Sequence, residues 1–448
     1  MPNSIAERSA SSSPVPALPP RAGRWAPVWV IAFVALWPAP GLAETVLSLG
    51  AVFATWRLLR RRFRGGTQLL SGAAWALTSV LFFAYWLPEL LSAIDAIDVP
   101  LALRKSLADL RYLPFMWLCA IAVADPARRR RTFAGLAIIG GVWTLDALLQ
   151  ALVGTSALFW SMDQLKWVIS GHGLCTAQEI AAVDRLSGLL GPCNLKFGQT
   201  LASLSPFLLF AAAARGRLAW LLAALAVGAV VVMAGARAAW ITYAVILLCS
   251  GWRLIGARGM FGVGMAALLG VIVLYQVSPQ VHERVARTQT VLGGGLAGID
   301  AALSGRAQIW SAALCMVREH PLNGVGARGF REAYPQCDPH PERVPAWGEG
   351  PAFHAHQIVL EILAETGFLG LLLWLAGAAQ AWRAWRYSSA AAREQARPAM
   401  VALLATVFPL NTHLAFYSSF WGGLTLMLAG LYAGALLNED GTREPPAA

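Results

Sequence analysis

The sequence predicts an all-α polytopic membrane protein of about twelve transmembrane helices with a helical cap on one face. The 448-residue chain is 57% hydrophobic and only 13% charged, and its mean hydropathy is +0.56. Such a composition leaves too little polar surface to clothe a soluble globule of this size. The apolar residues also gather in runs that reach about 20 residues, the length a helix needs to cross a bilayer.

Taken in order, the runs fall near 26–39, 41–58, 68–87, 107–124, 133–153, 197–214, 218–235, 238–253, 259–276, 357–382, 399–416 and 420–437. The first pair is short and is separated only by Pro38 and Pro40. Residues 1–24, rich in Ser, Pro and Ala, lack the short apolar core and small-residue cleavage site of a secretory signal, and read as a disordered cytoplasmic tail. Residues 25–437 form the transmembrane bundle, and 438–448 a second cytoplasmic tail. Two outer connectors, about 154–196 and 277–356, are far longer than a turn requires, which marks functional loops or loops with their own structure. In the second, "SGRAQIWSAALCMVREHP" has apolar residues at helical spacing, with Ser304 able to cap the helix and Pro321 following its end. "GGGLAG" (Gly293 to Gly298) lacks the Lys and strand of a phosphate loop and reads as a flexible linker.

The net charge of +11 comes from arginine clusters set between apolar runs. That pattern encodes membrane orientation rather than nucleic-acid binding. With the N-terminus inside, the inner connectors hold "RLLRRRFR", Arg128 to Arg131, Arg215 with Arg217, Arg253 with Arg258, and "RAWRYSSAAAREQAR". Most of the 35 Lys and Arg residues then lie inside, and half of the outer ones belong to one long loop, which the positive-inside rule largely ignores. Both termini are therefore expected in the cytoplasm. The six cysteines show no CxxC pair and no zinc spacing. Cys119, Cys249 and Cys315 read as buried thiols, whereas Cys175, Cys193 and Cys337 fall in outer loops, where a Cys175–Cys193 disulfide and a free pair are both open.

Four outer stretches carry the candidate chemistry: "DRLSGLLGPCN", "MAGARAAW", "LSGRAQIW" and "HAHQIVLEILAETGFLG". Arg237 sits between two apolar runs joined only by a tight Gly-Ala turn, so its charge is held at the bilayer surface. It either serves a site or snorkels to lipid phosphates. Arg185 and Arg306 lie in more polar loops. Three arginines on one face suit a diphosphate, because guanidinium matches phosphate oxygens in bidentate fashion and keeps its charge. His356, at the entry of its helix, is placed to take a proton near neutral pH. His354 makes an HxH pair with it, and Asp338 with His340 adds possible ligands, yet no third ligand stands at a recognisable metal spacing and no D-x-D pair occurs. Glu361 and Glu365, one helical turn apart, are placed to orient a neighbouring His or Arg. His413, near the outer end of the eleventh run, is a supporting candidate, with His172 and Lys196 as further ones.

These four stretches, with "HPLNGVGARGF", resemble the O-antigen ligase family, which includes O-antigen polymerases and protein O-oligosaccharyltransferases. "RLSGLLGPCN" looks like the family's R-x-x-G…P-N region, with Cys193 intruding before Asn194. "GARAAW" resembles its G-S-R-x-x-W element, with Ala236 in place of Ser. "HAHQIVLEILAETGFLG" resembles the signature of His and a polar residue leading into L…E-x-G-x-x-G. The resemblance covers roughly residues 180–375. It implies a glycosyltransferase of the bacterial inner membrane, with a GT-C-like helical bundle and a periplasmic cap and active site. The implied donor is an undecaprenyl-diphosphate-linked glycan, used without cofactor or metal; for a ligase, the acceptor is lipid A-core in lipopolysaccharide biosynthesis. Carried over by motif, the catalytic His falls on His356 and the donor-binding arginines on Arg237, Arg306 and Arg185. Glu365, His354 and His413 would support them. The bilayer is the remaining expected partner. The ligase branch fits best, with polymerase, protein glycosylation and glycolipid transport as alternatives.

Overall fold

A computed structural model describes residues 23–64, 68–182, 185–277, 305–342, 347, 350–411 and 415–437. Among them the secondary structure is entirely helical. In chain order the helices are α1 (Ala26–Ala35), α2 (Pro40–Phe63), α3 (Gly72–Ser92), α4 (Val99–Asp109), α5 (Tyr112–Ile121), α6 (Pro126–Val153), α7 (Ala157–Ser170) and α8 (Ala177–Ala182). There follow α9 (Phe197–Ala213), α10 (Arg217–Met233), α11 (Arg237–Val277), α12 (Arg306–Glu319), α13 (Phe330–Cys337), α14 (Ile358–Tyr387), α15 (Ala390–Thr406) and α16 (Ser419–Leu437).

Local chemistry sets many of the boundaries. Ser71, Asp98, Asp125, Ser156 and Ser389 cap α3, α4, α6, α7 and α15 by accepting from the backbone N–H three residues on. Gly154 and Gly171 end α6 and α7 in the left-handed conformation. Six helices, α2, α3, α6, α11, α14 and α16, are long and apolar enough to cross a membrane, and α1, α9 and α10 are shorter apolar helices. α16 is buried along almost its whole length and packs against α5 and α15. Its glycines permit that approach: a Cβ on Gly434 would stand 2.5 Å from the Ala120 backbone, and one on Gly430 would stand 2.8 Å from the Met116 carbonyl.

The expected runs meet helices, with differences of physical origin. The run at 107–124 holds the end of α4, which Asp98 starts, and the ten-residue α5. The runs at 238–253 and 259–276 are the two halves of α11, parted at Gly256, whose φ of 66° and ψ of −177° are not helical. The arginine-rich segment read as a connector is helical: α14 and α15 are parted by Ser388 and Ser389 alone, and α15 stops at Thr406, ahead of Pro409. Cys315, read as a buried thiol, is bonded to Cys337, and Cys175 is bonded to Cys193. The Cys315–Cys337 bond ties α12 to α13. These two helices share a small core of Ile309, Met316, Phe330 and Tyr334, separate from the main core of the bundle, and are called the cap below. Gly305 stands at the N-cap of α12; Ser304, the expected capping residue, lies outside the described residues, as do residues 1–22, residues 438–448 and the 293–298 linker.

Candidate active site at the capped end of the bundle

The cap is joined to the bundle by a backbone seam. α14 breaks at Gly367, whose φ of 64° and ψ of −168° suit glycine alone. Across the break, the loop Pro321–Gly326 supplies what the helix loses. The N–H groups of Val325 and Gly326 donate to the Ala364 and Glu365 carbonyls at 2.8 and 3.0 Å, and those of Phe368 and Leu369 donate to the Pro321 and Leu322 carbonyls at 2.8 and 3.2 Å. A Cβ on Gly367 would come within 2.1 Å of the Leu322 oxygen, and one on Gly324 within 2.4 Å of the Glu365 carbonyl carbon. The glycines of "LNGVG" and "ETGFLG" are thus two halves of one joint.

The seam places Arg328. Its backbone N–H donates to Glu365 Oε2 at 2.8 Å, and its φ is 67°. His356, with φ 54°, is the other non-glycine residue of positive φ among the described residues. An L side chain in that region costs of order 1–2 kcal/mol and persists where the surroundings over-determine it, commonly at functional sites. At His356, Gln357 immediately caps α14 by accepting from the Leu360 N–H at 2.6 Å. The His354 and His356 rings lie with centroids 3.9 Å apart, and Trp310 Nε1 donates to the Ala355 carbonyl between them at 3.1 Å.

Trp310 stands one turn into α12 from Arg306, so the His354–His356 strap lies close to the N-terminal turn that carries Arg306. Arg306 in turn lies within electrostatic reach of Arg237, the first residue of α11. Burial first and Arg237 second push the Arg306 guanidinium down to about 10, which still leaves it charged at neutral pH. Arg185 is drawn to the same turn: the Leu186 N–H donates to the Met233 carbonyl at 3.2 Å, four residues before Arg237. Lys196, at the start of α9, lies over the Phe420 ring at 5.5 Å, and burial together with Arg328 lowers its pKa.

Beneath these cations lies a buried ionic cluster not anticipated from the sequence. Lys105 of α4 pairs with Glu89 of α3 at 3.1 Å and with Asp109, and both carboxylates are shielded from solvent. Burial alone would lower Lys105, yet Glu89 and Asp109 outweigh it and hold the ammonium protonated. Glu361, fully buried, accepts from the Tyr417 N–H at 3.5 Å, and Thr366 and Tyr417 share a hydrogen bond of 3.2 Å. Glu365, expected to orient a neighbouring His or Arg, holds the Arg328 backbone N–H.

Of the residues singled out in the sequence, Arg237, Arg306, Arg185, His354, His356, Glu361, Glu365 and Lys196 converge on this end. His413 lies outside the described residues. His172 is exposed in the loop between α7 and α8 and bonds locally, to the Gly173 carbonyl. Asp338 is engaged by Gln308 Nε2 at 2.7 Å and by the His340 N–H at 3.0 Å. Among the described residues, the grouping of three potential metal ligands is Cys315, Glu319 and Cys337, and its two sulfurs are bonded to each other. Arg328 and the Lys105 cluster are the additions.

No curated protein matches the chain. Residues 202–375, from α9 into α14, match the Wzy_C family model, described as O-Antigen ligase. That segment, which is similar to the O-antigen ligase family over residues 202–375, holds Arg237, Arg306, Arg328, His356 and both halves of the seam.

Proposed function

We propose that the protein is an O-antigen ligase, moving a glycan from undecaprenyl diphosphate to a sugar hydroxyl of lipid A-core at the periplasmic face of the inner membrane. The observation that carries this reading is the meeting of Arg237 and Arg306 with the His354–His356 strap at one end of an apolar bundle, inside the family match. His356 takes the proton of the acceptor hydroxyl while that oxygen bonds to the anomeric carbon. The bond from this carbon to the diphosphate breaks, and its electron pair leaves with the diphosphate. One displacement inverts the anomeric configuration. Arg237, Arg306 and Arg185 neutralise the charge that grows on the leaving group, the role that a divalent ion fills elsewhere. His354 and Glu365 support the site, with His413 as an expected third.

The same reading supplies the remaining architecture: about twelve crossings, a GT-C-like arrangement and cytoplasmic termini. Both disulfides belong to the end read as outer, and a disulfide persists in an oxidising compartment such as the periplasm. The family covers polymerases as well as ligases, so polymerisation is the second reading. Transport is disfavoured because the charged groups gather at one end of the helices rather than at mid-depth.

The deciding experiment reconstitutes the full chain in proteoliposomes with an undecaprenyl-diphosphate glycan and lipid A-core. Glycan appearing on lipid A-core with chelator present supports the ligase. Donor glycans joined to one another, with lipid A-core unchanged, would establish a polymerase, and neither product would remove the glycosyltransferase reading.

A further inference from the structure

Between the cap and the outer ends of α2, α4 and α16 lies a cavity of about 430 Å³, apart from the Arg185, Arg237 and Arg306 group. Five cations line it. Two of them are neutralised: Lys105 by Glu89 and Asp109, and Arg111 by Glu44 at 3.2 Å. The other three are Arg104, Arg328 and Arg331, and among the described residues no salt bridge reaches any of them. Glu332 is the remaining acid on the wall. Arg328 feels Glu361 and Glu365 across the helix break, and its backbone is fixed by the bond to Glu365 and by its positive φ. Arg331 lies over the Phe353 ring at 4.9 Å. Phe353 also lines the cavity and directly precedes His354, so the cavity adjoins the proposed reacting centre.

Like charges brought together on three separate elements, with no salt bridge to any of the three among the described residues, make a site for a compact polyanion. Arginine in particular suits phosphate oxygens. The volume lies within the range of small-molecule pockets, about 300–1,000 Å³, and suits a sugar carrying its phosphate.

We infer that this cavity binds a phosphate group carried on a sugar of the acceptor glycolipid, as a phosphate subsite separate from the one that holds the donor diphosphate. The inference rests on the transferase reading for its acceptor role. Arg104, Arg328 and Arg331 hold the phosphate, and the sugar hydroxyl beyond it is thereby presented towards the His354–His356 strap.

The test uses phenylglyoxal, which modifies accessible arginines, on the full chain in nanodiscs, with site-by-site readout by mass spectrometry. The probes are glucosamine 1-phosphate, glucosamine and inorganic pyrophosphate. Protection of Arg104 and Arg331 by glucosamine 1-phosphate, at least tenfold over glucosamine, is expected, together with an Arg104→Gln/Arg331→Gln variant whose acceptor KM rises at least tenfold while its donor KM stays unchanged. Both arginines are exposed, so this variant is expected to fold. Protection by pyrophosphate alone, or a rise in donor KM, would overturn the inference and assign the cavity to the donor. Absence of protection by any phosphate would overturn it outright. Protection by glucosamine 1-phosphate in a protein that transfers no glycan would overturn the proposed reaction and the acceptor role together, leaving phosphate binding in place.

Discussion

Gly256 and Gly367 form a matched pair for testing the backbone seam. Each interrupts a long helix with nearly the same dihedrals, 66° and −177° at Gly256 against 64° and −168° at Gly367. An alanine in that region costs of order 1–3 kcal/mol at either position. At Gly256 a Cβ meets nothing within 4 Å, whereas at Gly367 it stands 2.1 Å from the Leu322 oxygen and 2.7 Å from the Asn323 nitrogen. To restore ordinary contact at about 3.3 Å, the loop must retreat by about 1 Å. That motion disrupts the four backbone hydrogen bonds of the seam, each contributing about 1 kcal/mol. Gly367→Ala is therefore expected to open the seam by about 2–4 kcal/mol more than Gly256→Ala opens its own surroundings. Native-state amide exchange reads this directly: the Val325 and Gly326 amides should lose roughly 30- to 1,000-fold protection in Gly367→Ala and little in Gly256→Ala. Equal protection in the two variants would refute the claim that the loop completes the broken helix.

Lys105→Met should destabilise the fold by about 3–5 kcal/mol, because it strands two buried carboxylates; thermal unfolding in detergent checks this, and a shift below a degree would contradict it. Replacing Cys315 and Cys337 by Ser should cost about 3 kcal/mol, as expected for a closed loop of this length, with proteolysis first appearing between α12 and α13. Arg306 has a folded pKa depressed to about 10 from 12.5, so the folded state binds fewer protons and charging it opposes folding. Stability should therefore rise with pH as it climbs through about 10. Arg306→Gln should flatten that rise. The same variant should lose the stabilisation that pyrophosphate gives wild type, as followed by melting temperature against pyrophosphate concentration.

Hydropathy made the bundle legible because apolar length is a local property: the run at 133–153 needs no knowledge of its neighbours to be read within α6. Caps such as Ser71 and Asp125 are equally local. The arginines of 383–397 misled because a charged segment at the membrane surface reads as a loop even where it continues a helix. The candidate site was legible where one residue type recurs beside apolar runs, as with Arg237 and His356. It was illegible where function depends on distant partners. Nothing near Lys105 announces that Glu89, sixteen residues earlier, turns to meet it. Arg328 lies in "HPLNGVGARGF", where nothing local marks it out; its anchoring to Glu365 exists only once α14 breaks at Gly367. Cys315 likewise sits in an amphipathic helix, and its partner is set by the fold of the cap.

The most direct measurement is single-turnover glycan transfer by His356→Ala and His354→Ala in nanodiscs, at saturating donor and acceptor and at equal folded protein. Loss of a general base is worth typically 10²–10⁴ in rate. His356→Ala should fall by that factor with donor binding retained, while His354→Ala falls less. Transfer by His356→Ala within a few-fold of wild type would contradict the assignment of His356 as the proton acceptor.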